Sequence, residues 1–367
     1  MKKKIAIFLY KYFPYGGLQK DFMGVTKELL SRGHDVRIYT RSWQGNVPQG
    51  FNVITTGERG FSNYSKNKKY IDFAFKHIEK DSPDILLGFN KMPGLDLYFA
   101  SDTCFAKQAK KKSVFQSYSR RFRQSLDFEN RIFSKQSKSK IFVLNQNQFD
   151  DFEEIYSTGS ERMTLIPPGI DSQWNKEKGI DIHNLLKIPN DNKIIVFVGS
   201  DFLRKGLDRA ILGLNHLQQK NIPSSLVVIG DDDKKPYVAS ILKNSLEEKI
   251  LFTGPRSDVA SFMKSADLLI PPAREEAAGN IIIEAMVSGL PSIVSNEVGF
   301  SDEVIKFKAG AVLQNDFIQS NFNQLLEETI QDKKLLSIKK NINLLYKDDY
   351  FFSRFRFVAD YIEQRFQ

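Results

Sequence analysis

Residues Pro271 to Pro291 read PPAREEAAGNIIIEAMVSGLP, and the second half of the chain is organised around this segment. The mostly apolar run Asp267 to Ile270 precedes it and predicts a buried strand that ends at the two prolines. We expect a helix that Asn280 caps and that ends near Ser288, with Gly289 at its C-cap. A strand, a loop and a helix in this order are typical of a parallel α/β domain.

Two glutamates flank the start of that predicted helix. The free N–H groups and the positive dipole end of a helix N-terminus suit a diphosphate. Glu276 in the loop is placed to accept hydrogen bonds from sugar hydroxyls. Glu284 lies about one turn into the predicted helix, roughly 6 Å along the helix axis from its start, and is placed to hold a ribose. Together these features describe a nucleotide-sugar site. The alternative is structural, since three consecutive isoleucines favour a strand as readily as a helix and exposed glutamates are common on any solvated surface.

Length and composition narrow the class of protein. The chain has 367 residues, 41% hydrophobic and 26% charged, which is typical of a globular protein with two domains. A single cysteine, Cys104, excludes internal disulfides and cysteine-rich zinc sites and indicates a reducing compartment. The first apolar run stops at Lys11 without a cleavage site, and no run approaches the roughly 20 apolar residues that span a bilayer, so we expect a cytoplasmic protein. The net charge of +9 predicts an anionic partner.

The first half opens with a predicted strand–helix–strand unit. Ile5 to Tyr10 predict a buried strand, Gly16 and Gly17 fall in the loop that follows it, and Val36 to Tyr39 predict the next strand. The diglycine would let the backbone approach a phosphate closely, although a loop that needs positive φ is an equal alternative. A Gly-x-Gly-x-x-Gly pattern is absent, and none of the four histidines has a recognisable partner pattern, so dinucleotide oxidoreductase, metal and triad chemistry are not favoured.

The segment Thr103 to Leu126 interleaves basic with aromatic residues and contains no acidic residue. This pattern suits the headgroup region of an anionic membrane, where each basic residue near the surface contributes about 1 kcal/mol to the binding free energy. A glycolipid acceptor and then nucleic acid rank below a membrane, because no nucleic-acid fold signature accompanies the charge, and a solvated basic face is the structural alternative. The predicted membrane-binding residues are Lys107, Lys110, Lys111, Lys112, Phe115, Tyr118, Arg120, Arg121 and Arg123.

The pattern restarts beyond Leu165 to Asp171, where two prolines and a glycine punctuate the end of a strand and indicate a domain boundary. Short apolar runs then alternate with helix-length segments, which predicts a second parallel, doubly wound sheet. Strands are predicted at Lys193 to Val198, Ser225 to Ile229, Ile250 to Thr253, Asp267 to Ile270 and Pro291 to Val294, and helices near Lys205 to Gln219, Pro236 to Leu246 and Asp258 to Lys264.

Charged residues follow two of these predicted strands. Arg204 and Lys205 stand after the first strand at a predicted helix start, where a guanidinium fork and a compact ammonium would clamp a diphosphate. A surface turn is the alternative for this pair. Asp231 to Asp233 follow the next strand and are similar to a metal-nucleotide motif, but acidic loops after strands are common and we expect no metal.

A glutamate, seven intervening residues and a second glutamate, followed by alanine, glycine and proline, resemble the signature of the retaining glycosyltransferases of family 4. The residues of this match are Glu276, Glu284, Ala285, Gly289 and Pro291, with further matches at Arg32 to Val36, Pro168 to Asp171 and Arg204 to Gly206. The resemblance implies the α/β GT-B fold, two facing Rossmann-like doubly wound parallel-sheet domains with an interdomain cleft. We place the acceptor- and membrane-facing domain at 1–167, with 348–367 packing back on it, and the nucleotide-sugar domain at 168–347.

Nearly the whole chain is similar to those members of the family that add glucose from UDP-glucose to the first inner-core heptose of lipopolysaccharide. The stretches that carry this closer resemblance are Leu9 to Pro14, Gly16 to Gln19, Gly88 to Asp96 and Gly199 to Phe202. It implies a metal-independent hexosyltransferase without a cofactor. UDP-glucose, the lipopolysaccharide heptose and an anionic membrane surface are the implied partners, and nucleic acid is not. The implied location is the cytoplasmic face of the inner membrane, peripherally attached.

The resemblance also implies roles for individual residues. Arg204 and Lys205 would bind the UDP diphosphate, Glu276 the transferred hexose and Glu284 the ribose. Residues carried over with them as donor-binding are Gly16, Gly17, Arg256, Ala278, Gly279 and Asn280, and those carried over as catalytic are Glu276, Lys205, Asp21 and Asp102. This chain departs from the family in two places: Ser200 stands where an arginine is frequent, so Arg204 would substitute for it, and Ala277-Ala278 replaces Gly-Phe, which leaves the hexose open.

The implied mechanism follows from charge. Departure of UDP develops negative charge on the diphosphate, which fixed cations and a helix N-terminus stabilise. No enzymic nucleophile is evident, so front-face retention is the favoured route. Two alternatives stay open: a UDP-GlcNAc- or UDP-GalNAc-type transferase that acts on the same core or another surface glycan, and a non-enzymic protein that binds anionic membranes.

Overall fold

The chain forms two compact units, Met1–Gly169 with Ser353–Gln367 (unit 1) and Ile170–Phe352 (unit 2). The bounds predicted from the sequence were 1–167 with 348–367, and 168–347. The computed structural model describes residues 2–14, 16–57, 60–109, 119–314 and 316–366. Within these ranges no helix has both the length and the apolar character that crossing a bilayer requires.

Unit 1 contains, in its described residues, a seven-stranded parallel sheet of order β3-β2-β1-β4-β5-β6-β7. The strands are β1 Lys4–Tyr12, β2 Asp35–Trp43, β3 Asn52–Thr55, β4 Ile85–Gly88, β5 Leu97–Ala100, β6 Lys140–Val143 and β7 Met163–Leu165. The helices are α1 Gly17–Ser31, α2 Asn63–Ile78, α3 Phe105–Ala109, α4 Arg120–Phe133 and α5 Gln146–Tyr156. Helices cover both faces, so β1 and β5 are almost wholly apolar, as buried parallel strands require.

Unit 2 repeats this architecture with a sheet that is six-stranded over the described part of the chain, of order β10-β9-β8-β11-β12-β13. Its strands are β8 Lys193–Val198, β9 Ser224–Ile229, β10 Ile250–Gly254, β11 Leu268–Leu269, β12 Ser292–Ser295 and β13 Gly310–Leu313. Its α-helices are α6 Ile182–Leu186, α7 Phe202–Lys205, α8 Leu207–Gln219, α9 Lys235–Lys243, α10 Val259–Ser265, α11 Asn280–Val287, α12 Ser301–Lys306, α13 Gln319–Thr329 and α14 Asp332–Ile342. Short 3-10 helices lie at Ser172–Lys176, Leu345–Lys347 and Asp349–Phe352.

The strand order reverses once in each sheet, between β1 and β4 in unit 1 and between β8 and β11 in unit 2. Ligands of open parallel sheets bind outside the carboxyl ends of the strands at such a reversal. The two doubly wound parallel sheets confirm the predicted fold class, GT-B.

Two predicted helix boundaries were wrong. Asn280 is the first residue of α11 and not its cap, because Gly279 occupies the cap position with a left-handed backbone (φ 75°). The helix predicted over Lys205 to Gln219 is divided into α7 and α8, since Gly206 is also left-handed (φ 83°) and a left-handed residue interrupts a right-handed helix.

The last helix, α15 (Arg354–Arg365), returns to unit 1 and packs on α1. Arg32 at the end of α1 donates to Asp360 at 2.6 Å and to Glu363 at 2.9 Å. Gly24 of α1 leaves room for the ring of Phe355, which a Cβ at that position would meet at 2.3 Å. Charge and close packing therefore attach the C-terminal helix to the first helix of the chain.

Candidate functional site

The reversal in unit 2 brings together the two charged segments singled out in the sequence. Arg204 and Lys205 follow β8, and Glu276 follows β11, the neighbouring strand. Glu276 Oε2 accepts from Arg204 Nη1 at 2.6 Å and lies 2.6 Å from Lys205 Nζ. The sequence prediction that these side chains share one site is therefore consistent with the geometry of unit 2.

The three side chains form a partly shielded charge cluster. The side chains of Glu276 and Lys205 are 19% and 12% exposed, whereas that of Arg204 is 38% exposed. Burial alone would raise the pKa of Glu276, but Lys205 and Arg204 together hold that pKa below its usual value. The cluster therefore places two cations around one carboxylate.

Backbone geometry of α7 fixes where Arg204 points. Asp201 caps the helix from a left-handed conformation (φ 61°), and its carboxylate also accepts from Arg204 Nε at 2.9 Å. Gly206 ends the helix, and a Cβ there would lie 2.1 Å from the carbonyl oxygen of Pro272. Only glycine fits this contact, which presses the cationic turn against the loop that carries Glu276.

Two arginines that the sequence analysis missed hold this loop in place. Arg209 Nη1 donates to the carbonyls of Pro272 and Ala273 at 3.0 and 3.2 Å. Arg274 forms a two-pronged ion pair with Asp208, at 2.8 and 2.7 Å. In sequence they are isolated arginines in charged surroundings. Their partners, which distinguish them from surface residues, are brought to them only by folding.

The glycine turn before α11 packs closely against the segment after β12. Phe300 N donates to Ala278 O at 2.9 Å, and a Cβ on Gly279 would meet Val298 Cγ1 at 2.3 Å. Gly279, directly before the first turn, lies close to Glu276, whose Cγ would be 3.6 Å from a Cβ on the glycine. Glu284 lies on the same helix and is 6% exposed. Its predicted ribose contact stays a prediction.

Other predicted residues of unit 2 have partners of their own. Arg256 forms two 2.7 Å bonds with Asp258 and stacks on Phe262, so its predicted contact with the nucleotide stays a prediction. Asp232 accepts from the backbone N–H of Phe202, the first residue of α7, at 2.6 Å. Searched over the part of the chain that the structure describes, no group of three His, Cys, Asp or Glu side chains could hold a metal ion.

The predicted residues of unit 1 lie after β1 and β5. Gly16 caps α1 with φ −87°, so the alternative of a positive-φ loop was wrong, and a Cβ there would meet Gln19 Oε1 at 1.8 Å. Gly17 is the first residue of α1. Asp21 is 2% exposed and accepts from Arg354 Nη1 at 2.7 Å, whereas Asp102 is exposed after β5. Their catalytic roles stay predictions.

The basic segment is described only in part. Lys107 on α3 pairs with Asp151, and Arg120, Arg121 and Arg123 are exposed in the first turns of α4. Lys110, Lys111, Lys112, Phe115 and Tyr118 lie outside the described residues.

Comparison with known proteins indicates the family of the chain. Residues 180–343 match the family model of the glycosyl transferases group 1. The chain is 35% identical over 338 residues to the lipopolysaccharide glucosyltransferase WaaG of Escherichia coli K12, covering 90% of both proteins.

Solved structures give the same result. The crystal structure of WaaG, a glycosyltransferase involved in lipopolysaccharide biosynthesis, superposes with a TM-score of 0.91 at 33% identity, covering 98% of this chain and 100% of that one. Sucrose-phosphate synthase of Thermosynechococcus elongatus shares the fold, with a TM-score of 0.77 at 16% identity over 99% and 98% of the two chains.

Proposed function

The chain belongs to the group 1 glycosyl transferases, and from this premise we propose that it transfers glucose from UDP-glucose to the first heptose of a lipopolysaccharide inner core, with retention of configuration. The relative that is 35% identical over 90% of both chains carries the name lipopolysaccharide glucosyltransferase, which supports this choice of donor and acceptor. The observation that carries the donor site is the Arg204–Glu276–Lys205 cluster at the reversal of the unit 2 sheet.

The cluster supplies what departure of a nucleoside diphosphate requires. As the bond between the anomeric carbon and the phosphate oxygen breaks, negative charge develops on the diphosphate. Arg204 and Lys205 would contact these oxygens, together with the N–H groups at the start of α11. The diphosphate would compete with Glu276 for both cations, and the released carboxylate would accept hydrogen bonds from hexose hydroxyls.

The proposed chemistry is a front-face substitution. The acceptor hydroxyl oxygen bonds to the anomeric carbon on the side that UDP leaves, and its proton passes to the departing phosphate oxygen. The bond broken and the bond formed share one face of the sugar, so configuration is retained. In this proposal the protein's cations carry the charge, and neither a metal nor a cofactor is needed.

The proposed acceptor is part of a glycolipid, so we also place the enzyme peripherally at the cytoplasmic face of the inner membrane. Arg120, Arg121 and Arg123 are exposed on the first turns of α4 and favour an anionic surface. Binding to vesicles that contain anionic phospholipid should weaken as salt rises. Equal binding to neutral vesicles would argue against this location.

The central test is Lys205→Ala, assayed by transfer from UDP-glucose to heptosylated, truncated lipopolysaccharide. We expect kcat to fall by about 10²–10³-fold, the usual cost of removing one fixed group that stabilises developing charge. Lys243→Ala, an exposed lysine at the end of α9, is the matched control and should behave as wild type. Near-normal turnover of Lys205→Ala would refute its role, and preferential transfer from UDP-GlcNAc or UDP-GalNAc would refute the assigned donor.

A further inference from the structure

Unit 1 has a loop at its own sheet reversal that the donor site does not use. Phe89 to Leu95 follow β4, next to β1. Tyr10 on β1 holds this loop twice: its backbone N–H donates to Asn90 Oδ1 at 2.6 Å, and its hydroxyl donates to Lys91 O at 2.9 Å. The loop therefore lies at the edge where open parallel sheets receive ligands.

A fully buried carboxylate stands behind this loop. Glu129 on α4 is 0% exposed and accepts the backbone N–H groups of Phe105 and Ala106, both at 2.8 Å. These are the first residues of α3. The hydroxyl of Tyr156 on α5 donates to the same carboxylate at 2.9 Å. Glu129 thus joins three helices of unit 1 through one side chain.

Lys91 from the loop completes this arrangement. Its side chain is 12% exposed, and its ammonium group pairs with Glu129 Oε2 and donates to Thr103 O at 3.1 Å. The ammonium also lies 5.7 Å from the centre of the Phe152 ring. A buried ion pair gives little net stability over apolar side chains of the same volume, so stability alone is a poor reason to have one here.

We propose that Lys91 and Glu129 are positioning residues for the sugar acceptor, an inference that rests on the proposed transferase function. They connect the Phe89–Leu95 loop to the first residues of α3 and to the C-terminal half of α4. The N-terminal end of α4 carries exposed cations, among them Arg120 and Arg121, that would meet the proposed anionic surface. The pair thereby ties acceptor recognition at the sheet edge to the helices that meet the glycolipid's surroundings.

The location of the pair predicts which kinetic constant it controls. Lys91 and Glu129 belong to unit 1, whereas the Arg204–Glu276–Lys205 cluster belongs to unit 2. Loss of the pair should therefore weaken the acceptor and spare the nucleotide. A merely structural role would lower thermal stability and weaken both ligands together.

The test measures Glu129→Gln and Lys91→Met in the full-length enzyme. We expect the KM for heptosylated, truncated lipopolysaccharide to rise at least tenfold, while the Kd for UDP stays within twofold of wild type. Amide hydrogen exchange should accelerate at least tenfold both at Phe105 and Ala106 and in the Phe89–Leu95 loop. Arg131→Met, which removes an exposed ion pair with Asp127 on the same helix, is the matched control and should change none of these.

Should Glu129→Gln not fold, the apolar double variant Lys91→Met/Glu129→Met replaces it, with the same expected changes. Faster exchange confined to Phe105 and Ala106, or an unchanged acceptor KM, would overturn the proposal. Absence of any transfer by the wild-type enzyme would instead refute the proposed acceptor. In that case the exchange data alone would decide whether the pair couples loop and helices.

Discussion

Glu276 shows how a single residue sets the charge of the site. Its carboxylate lies 2.6 Å from both Arg204 and Lys205, so in this structure two cations that would meet a diphosphate share one partner. Family resemblance left open whether Arg204 replaces the arginine that is absent at Ser200. Arg204 and Lys205 share the Glu276 carboxylate, but Arg204 also pairs with Asp201 and is more exposed, and its replacement of that arginine stays a prediction.

The depressed pKa of Glu276 makes part of the stability dependent on pH. Because its folded pKa lies below the ordinary 4.5, its ion pairs stabilise the fold above that pH, and this contribution is lost as pH falls through the folded pKa. We expect Glu276→Gln to lose more stability relative to wild type at pH 7 than at pH 3, measured by urea denaturation.

Glu303 is the matched control for this measurement because its shift has the opposite sign. Burial raises its pKa above 4.5, against the bond that Tyr350 donates. Its contribution is therefore present at low pH and lost as pH rises through the folded pKa. The stability of Glu303→Gln relative to that of wild type should therefore be higher at pH 7 than at pH 3. The same trend in both variants would contradict the assignment.

Gly206 gives a second prediction at this scale. Gly206 and Gly33 have the same φ of 83°, but a Cβ on Gly33 would have nothing within 4 Å, whereas one on Gly206 would lie 2.1 Å from Pro272 O. Gly33→Ala should lower the free energy of unfolding by about 1–2 kcal/mol, the cost of holding an alanine in the left-handed backbone conformation. Gly206→Ala should cost more than about 3 kcal/mol, since backbone must also move. Equal costs in urea denaturation would show that the contact is unimportant.

At the scale of elements, apolar runs in the sequence predicted many of the strands but not all of them. The strand predicted over Lys193 to Val198 has those bounds in the structure, and the reversal after it brings Arg204 and Lys205 to Glu276. Runs at Asp84 to Phe89 and Ile141 to Leu144 predicted β4 and β6, but β3, β5 and β13 were missed. Length does not separate the two groups, because all five strands have four residues, and pairing with neighbouring strands defines those that were missed.

The supports of the site were equally hard to predict. Arg209 acts through backbone carbonyls of the loop, Arg274 through the backbone carbonyl of Leu203 in α7, and Glu129 through backbone N–H groups of α3. Residue type carries no trace of such bonds, because every residue offers the same backbone groups. Motifs therefore indicated the residues that would touch a ligand, and only the fold identified those that position them.

The attachment of α15 gives a prediction for an element. Arg354 and Asp21 form a buried ion pair, with side chains 0% and 3% exposed. Arg354→Met leaves the buried carboxylate of Asp21 without its ion-pair partner Arg354, and the free energy of unfolding should fall by about 3–5 kcal/mol. Arg32→Met removes the ion pairs with Asp360 and Glu363, two solvent-accessible residues of α15, and the free energy of unfolding should fall by about 0–1 kcal/mol. Urea denaturation measures both, and similar losses would show that the buried pair does not anchor the helix.

At the scale of the molecule, the two units share a strand order but differ in how they should respond to alkali. Burial raises the pKa of several groups in unit 1, to about 12 for Cys104, and of Tyr237 in unit 2. The unit 1 groups are Tyr10, Tyr12, Tyr39, Tyr70, Tyr98, Cys104 and Tyr156, and the unit 2 group is Tyr237.

This asymmetry predicts that unit 1 unfolds first as pH rises. A phenol in the unfolded chain ionises near pH 10.0 and a thiol near pH 9.0, whereas the buried groups of the folded chain resist ionisation. Their contribution to the free energy of unfolding is therefore full below those pH values and is lost as pH rises through the folded pKa. Pulse proteolysis at pH 7 and pH 10.5, with cleavage sites identified by mass spectrometry, should find new cuts before Gly169 at the higher pH. Cys104→Ala should delay them. New cuts that appear first between Ile170 and Phe352 would show that buried phenols and the thiol do not control alkaline stability.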